Sequence, residues 1–216
     1  ALGKMLVKRG YKVYGLSRNP EKHGHLSKDG IHLLKWNGTC PDAWIEQADG
    51  CYAIINLAGT GIGDSRWTEA RKELILNSRI GAIKAIQDAI RIISNKPEML
   101  IQASAIGYYG YNTSEAVDEQ ADPGTGFSAD VCRQVEAKVN GIEDTTVKVI
   151  RTGIVIGLGG GAYKKILQPL KYGMGAWPGN GRNLVSWIHL EDTIEAIRFI
   201  LEKRPSAAVF NLVSPE

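Results

Sequence analysis

Cysteine is scarce and spread out: Cys40, Cys51 and Cys132 stand alone, with no Cys-x-x-Cys pair among them. That spacing suggests neither a zinc site nor the dense, even framework of a small disulfide-held domain. All three read as ordinary packing residues, because a free thiol behaves as a small buried hydrophobe, and a reducing, cytoplasmic setting fits them. Long apolar runs are lacking too: none approaches the roughly 20 residues of a membrane-spanning helix, and no charged-then-apolar secretory pattern opens the chain. Excess charge is also missing. The 26 basic and 23 acidic residues leave a net charge of +3, and Lys22, His23, His25 and Lys28 crowd into one expected loop instead of lining a face, so a nucleic-acid partner is not expected. No internal repeat or low-complexity linker interrupts the chain. What remains is 216 residues, 44% of them hydrophobic, enough to bury one sizeable core.

Periodicity organises that core. Short apolar runs at 11–16, 31–36, 51–57, 99–104, 147–156 and 209–212 read as strands, and the run at 51–57 is apolar on both faces, as a buried parallel sheet requires. Between them come helical patterns near 41–47 and at 68–93, 127–140, 163–172 and 191–203. The long second pattern places Leu74, Ile75, Ile80, Ile83, Ile86 and Ile90 on one inner stripe. Strand and helix alternate throughout, which predicts crossover units in an α/β, Rossmann-type, doubly wound parallel sheet. Residues 1–9 already read as the later turns of an amphipathic helix that Gly10 closes. Further chain is therefore expected before Ala1, and the stretch Ser214-Pro215-Glu216 reads as trimmed. The turns at 105–126 and 157–183 are long enough to be functional loops. One domain is expected over 1–216, with 157–190 and 205–216 contributing to a small substrate-side lobe.

Three segments carry candidate chemistry. Asn56-Leu57-Ala58-Gly59, followed by Thr60-Gly61-Ile62-Gly63, sits directly after an apolar strand. Ligands of open parallel sheets lie beyond the carboxyl ends of the strands, where small residues let backbone approach a flat cofactor. A plain Gly-rich turn is the alternative. Ser17-Arg18 ends the 11–16 strand, where dinucleotide folds meet the adenosine ribose; an arginine there accommodates a 2′-phosphate and favours NADP over NAD. The alternative is a solvated turn. Ala103-Ser104-Ala105-Ile106-Gly107-Tyr108-Tyr109-Gly110 places a serine at a strand end before a Gly- and Tyr-rich loop. Ser104 is a candidate to hydrogen-bond a substrate oxygen and Tyr108 or Tyr109 a candidate proton donor; a purely structural serine is the alternative.

In this order the segments resemble the extended short-chain dehydrogenase/reductases, the superfamily of nucleotide-sugar epimerases and dehydratases. The resemblance gives 56–59 the cofactor motif after the fourth strand, 104–110 the serine strand and Tyr-Gly turn, Arg151-Thr152-Gly153 the nicotinamide side, and 186–192 the His-containing segment that opens a late helix. More narrowly, Arg66-Trp67-Thr68-Glu69, Ser78-Arg79, Tyr108-Tyr109, 159–161 and 211–215 resemble the atypical "epimerase family protein" group. The cofactor residues so implied are Ser17, Arg18, Leu57, Ala58, Gly59, Arg79, Ala103, Thr152 and Gly153, with NADP as cofactor. The implied partner is a small-molecule substrate such as a nucleotide sugar, and a homodimer is allowed.

Two departures from the family pattern shape the functional expectation. The family's Gly-x-x-Gly-x-x-Gly loop, whose backbone N–H groups and helix N-terminus hold a pyrophosphate, would lie before Ala1, and without it weak NADP binding is expected. The family's Tyr-x-x-x-Lys pair falls on Ser128 and Cys132 when the 127–140 helix is aligned through Glu136. A thiol cannot supply the charge by which the lysine grips the ribose and lowers the tyrosine pKa. Two functions follow: an NADP-dependent epimerase or oxidoreductase using Ser104 and Tyr108, or an NADP-binding protein without turnover that regulates or docks. His189, beside Glu191 and Asp192, is expected to cap its helix and not to act as a base.

Overall fold

The computed structural model describes residues 1–111, 116–157, 171–173 and 184–215. The predicted helix at 163–172 and the Gly-rich 159–161 segment lie outside these residues, apart from 171–172. The chain opens with α1 (Leu2–Lys8), whose end is closed by Gly10 at a φ of 88°. Strand β1 (Val13–Ser17) then pairs in parallel with β2 (Ile31–Lys35), Val13 opposite Ile31 and Ser17 opposite Lys35. The connection between them, expected as a loop, is a 3-10 helix over Pro20–Asp29 with Pro20 fixing its first turn and Gly30 in the left-handed region at its end.

A four-stranded parallel sheet follows, in the order β3 (Ala53–Asn56), β4 (Met99–Ala105), β5 (Thr146–Thr152), β8 (Val209–Leu212). The crossovers are α2 (Ile45–Ala48) before β3, the long α3 (Glu69–Ile92), α4 (Phe127–Val139), and α5 (Leu190–Lys203). Alternate residues of each strand go to opposite helical layers. Leu100 and Val149 pack with Ile75, Ile83, Ile86, Ile90, Val131 and Val135 of α3 and α4 beneath Trp36 and Trp44. Met99, Ile101 and Ile150 pack with Leu6 of α1 and Ile197, Ile200 and Leu201 of α5. Two buried layers on one parallel sheet make the fold doubly wound, as the alternating pattern predicts.

Two sequence expectations need correction. Leu74, assigned to the inner stripe of α3, is half exposed, because the buried line runs through Ile75, Ala82, Ile83, Ile86 and Ile90, and Leu74 lies about 100° around the helix from its neighbour Ile75. The run at 147–156, read as one strand, breaks at Gly153: β5 stays in the main sheet, while β6 (Ile154–Ile156) turns away to pair in parallel with β7 (Trp187–His189). Gly153 permits the break because a Cβ there would stand 2.8 Å from the Ser186 carbonyl oxygen, which accepts the next residue's N–H at 2.9 Å.

Candidate functional site

The site is built at the carboxyl ends of β3, β4 and β5. At β3, Asn56 and Gln102 lie directly opposite one another on adjacent strands, and the buried Asn56 Nδ2 donates to Gln102 Oε1 at 2.8 Å. With its amide oriented in this way, Asn56 Oδ1 accepts the backbone N–H of Ala58 at 3.1 Å and shapes the turn after the strand. Leu57, Ala58 and Gly59 lie exposed on that turn, as a shelf for a flat ligand requires.

Helix α3 holds the shelf from the other side. Thr68 caps the helix by accepting the Arg71 N–H at 3.2 Å. Four side chains, one just before the helix and three along its first half, then bind the loop's backbone: Trp67 Nε1 donates to Ile62 O at 2.9 Å, Arg71 Nη2 to Gly61 O at 2.6 Å, Arg79 Nη1 to Thr60 O at 3.0 Å, and Ser78 Oγ accepts the Thr60 N–H at 3.0 Å. Arg79 is the most informative. Its Cζ lies 2.9 Å from where a Cβ on Gly59 would stand, so the guanidinium rests against the glycine backbone. Burial lowers its pKa, and its one opposing influence is the Cys132 sulfur; no carboxylate pairs with it among the described residues. A half-buried cation without a partner anion, beside a glycine shelf, suits an anionic ligand. These residues fit a dinucleotide.

At the end of β4, Ser104 turns inward. Its Oγ donates to Glu136 Oε1 of α4 at 2.7 Å, and Glu136 is itself gripped by Arg151 of β5, Nε to Oε1 at 3.0 Å and Nη2 to Oε2 at 2.7 Å. Burial works against the Arg151 charge, yet the Glu136 and Tyr109 hydrogen bonds more than offset it and raise its pKa above the ordinary arginine range. The Arg151 guanidinium lies 3.5 Å from the centroid of the Tyr108 ring and donates Nη1 to the Tyr109 hydroxyl at 2.8 Å, which passes its own proton to Asn211 Oδ1 of β8 at 2.8 Å. Glu119 closes the network by accepting the Asn211 N–H at 2.7 Å.

The structure therefore brings Ala103, Ser104, Thr152, Leu57 to Gly59 and Arg79 around one set of strand ends. Thr152 Oγ1 donates to the Ser104 carbonyl at 3.2 Å, and Cys132 Sγ lies 3.6 Å from the Ala105 carbonyl with its pKa raised by burial. Gly153 is buried, its backbone packed against Ser186. Ser17 and Arg18 end β1, which pairs only with β2 among the described residues; Ser17 Oγ accepts the Asn19 N–H at 3.2 Å and Arg18 is exposed. His189 caps α5, accepting the Glu191 N–H at 3.3 Å. Sequence reading missed the pairing of Glu136 with Arg151 and the part of Asn211 and Glu119. Its one available signal was a carboxylate, Glu136, next to Val135 on the apolar stripe of α4. Among the described residues no group of three His, Cys, Asp or Glu side chains could hold a metal, and no helix is long and apolar enough to cross a membrane.

A doubly wound parallel sheet with a glycine shelf and, at its strand ends, an arginine that no carboxylate pairs among the described residues defines a nucleotide-cofactor fold. The chain belongs to the NAD dependent epimerase/dehydratase family, whose model it matches over residues 1–212, and within it to the atypical short-chain dehydrogenase/reductases. It is 34% identical over 165 residues to epimerase family protein Mb2239 of Mycobacterium bovis, covering 76% of this chain and 54% of that protein. To epimerase family protein YfhF of Bacillus subtilis it is 32% identical over 214 residues, 98% of this chain and 69% of the relative. The chain thus spans from about half to about seven tenths of the length of these curated relatives. A crystal structure of human epimerase family protein SDR39U1 with NADPH superposes on the whole chain and 70% of the human one, with a TM-score of 0.85 and 27% identity.

Proposed function

We propose that this chain carries the nucleotide-binding part of an NADP-dependent epimerase or oxidoreductase of the atypical short-chain dehydrogenase/reductase group, acting on a carbonyl or alcohol of a small molecule such as a nucleotide sugar. The carrying observation is Arg79, a partly buried guanidinium with no carboxylate partner among the described residues, held against Gly59 by two backbone carbonyls. In this reading Leu57, Ala58 and Gly59 face the dinucleotide, Arg79 binds its anionic part, and Ala103, Thr152 and Gly153 border the nicotinamide end. Ser17 and Arg18 meet the adenosine ribose, where the exposed arginine prefers a 2′-phosphate. A bound reduced nicotinamide supplies hydride chemistry. Ser104 gives its only proton to Glu136, so it takes part as an acceptor that orients a substrate hydroxyl, and Tyr108 flanks the site as a ring over Arg151.

A second reading has its own support. Ser104 is spoken for by Glu136, and one face of Tyr108 is covered by Arg151, as in a protein that binds NADP to stabilise or regulate an interaction and turns nothing over. Fluorescence titration of the full-length protein with NADPH and NADH tests the cofactor assignment. Tighter NADPH binding, lost on Arg18→Ala, is expected; equal affinity for both removes the role given to Arg18. Incubation of the NADP-loaded protein with carbonyl compounds and nucleotide sugars, with Ser104→Ala and Tyr108→Phe alongside, then separates the two readings.

A further inference from the structure

Charge is unevenly spread along the chain. Residues 1–35, which form α1, β1, the 3-10 helix and β2, hold eight of the 26 Lys and Arg but only two of the 23 Asp and Glu. This unit has a net charge of +6, while the remaining residues sum to −3. All eight cations are exposed, and among the described residues only Lys4 is ion-paired, with Asp29 at 2.8 Å. Charge that serves solubility alone is mixed in sign over the surface; here one structural unit carries the whole positive excess of the chain.

The unit adjoins the glycine shelf through its strand ends. Ser17 and Lys35 end β1 and β2 opposite one another, Arg18 follows Ser17 directly, and the Trp36 N–H donates to the Ser17 carbonyl at 2.9 Å. Asn37 Oδ1 then folds the turn after β2 by accepting the Thr39 and Cys40 N–H groups at 2.8 and 3.0 Å. Thr39 rests on α3 at Gly81, where a Cβ would stand 2.9 Å from Thr39 Cγ2. Gly81 lies two residues beyond Arg79, whose guanidinium rests against Gly59. A file of contacts thus runs from the ends of β1 and β2 to the shelf, with Arg18 and Lys35 at one end of it and Arg79 at the other.

We propose that this unit is an electrostatic collector for an anionic dinucleotide, drawing it to the strand-end shelf and so setting the rate of binding more than its final strength. The inference rests on the cofactor reading above. With two bridging phosphates and a 2′-phosphate, NADP carries charge of one sign, and a surface field of the other sign raises the association rate of such a ligand by about 10- to 1000-fold. The rest of the chain, net negative, supplies no such attraction. Steering differs from contact in its reach. Lys12 and Lys28 precede the amino ends of β1 and β2, and five-residue strands rising about 3.3 Å per residue put them roughly 15 Å from the carboxyl ends. These two lysines act on an arriving ligand through the field and touch no part of the bound one.

The test uses the full-length protein and stopped-flow NADPH fluorescence, which gives association and dissociation rates separately. Reversal of both lysines, Lys12→Glu with Lys28→Glu, is expected to slow association at least about three-fold at an ionic strength of about 0.01 M, where the screening length is about 30 Å. At about 0.15 M, with a screening length of about 8 Å, the difference should shrink below about two-fold. Dissociation should stay within about two-fold of wild type at both. The neutral pair, Lys12→Gln with Lys28→Gln, should show about half the effect on a logarithmic scale; it stands in if thermal unfolding shows that the reversed pair fails to fold. Equal association rates at low salt, a difference that salt leaves unchanged, or one carried by dissociation overturns the proposal while NADPH binding stands. Failure of the wild type to bind NADPH overturns the cofactor reading itself, and this proposal with it.

Discussion

Ser104 and Glu136, 32 residues apart, are joined by a hydrogen bond of 2.7 Å in which the serine is the donor. A hydroxyl has one proton, so the orientation decides what Ser104 can offer a ligand. Glu136 is fixed in turn by both nitrogens of the Arg151 fork, and Arg151 is only 3% exposed. The two ends of this chain of contacts should therefore respond very differently to substitution.

Ser104→Ala removes one neutral donor from a carboxylate that Arg151 still satisfies, and is expected to cost about 1 kcal/mol. Glu136→Ala leaves the Arg151 guanidinium buried without its counter-charge, and is expected to cost about 3–5 kcal/mol. Urea unfolding of the two variants checks the order. Equal losses would show that Glu136 is held by something other than Arg151.

Arg79 offers the opposite combination. Burial disfavours its charge and no carboxylate among the described residues compensates, so Arg79→Met should leave the unliganded protein within about 1 kcal/mol of wild type, despite the lost bonds to Thr60 and Ile75. NADPH binding should fall by about 10- to 100-fold, the worth of a charge-assisted hydrogen bond. Thermal unfolding and fluorescence titration on one preparation read both quantities. Unchanged affinity would remove Arg79 from the site.

The layers of the fold were legible because they rest on local period: Leu100 and Ile101 alternate to opposite faces whatever surrounds them. The glycine shelf was legible for the same reason, as a turn directly after a strand. Partnerships across long separations were not. Nothing in the pattern around Ser104 says that its proton goes to a helix 32 residues on, and nothing around Arg151 says that it stacks on Tyr108. Cys40 shows the limit in small: read as a packing residue, it is exposed, because the turn at 37–40 is held by Asn37 Oδ1, which accepts the Thr39 and Cys40 N–H groups.

Gly153 marks where β5 leaves the main sheet for β6. A Cβ at this position meets backbone, the Ser186 oxygen at 2.8 Å and carbon at 3.1 Å, which cannot swing aside like a side chain. Gly153→Ala is expected to cost about 1–3 kcal/mol and to speed hydrogen exchange at Ile154, whose N–H binds Ser186. An alanine variant as stable as wild type would mean that the β6–β7 pair shifts freely relative to β5.

The cysteines give a pH prediction with a definite sign. A thiol is neutral when protonated, and burial raises Cys51 from 9.0 to about 11. The folded chain thus holds that proton more tightly than the unfolded one. Below pH 9 both states are protonated and the contribution is fully present; as pH rises from 9 through 11 the unfolded chain releases the proton first, and stability falls. Because the thiol is only partly buried, the loss should be on the order of 1 kcal/mol after allowing for solvent screening. Urea midpoints at pH 8 and 11 should differ less in Cys51→Ala than in wild type. Thiol labelling at neutral pH offers an independent check: exposed Cys40 should react first, while Cys51 and buried Cys132, both raised by burial, lag until the chain unfolds. Rapid labelling of Cys51 in the folded protein would contradict its assigned burial and with it the pH dependence.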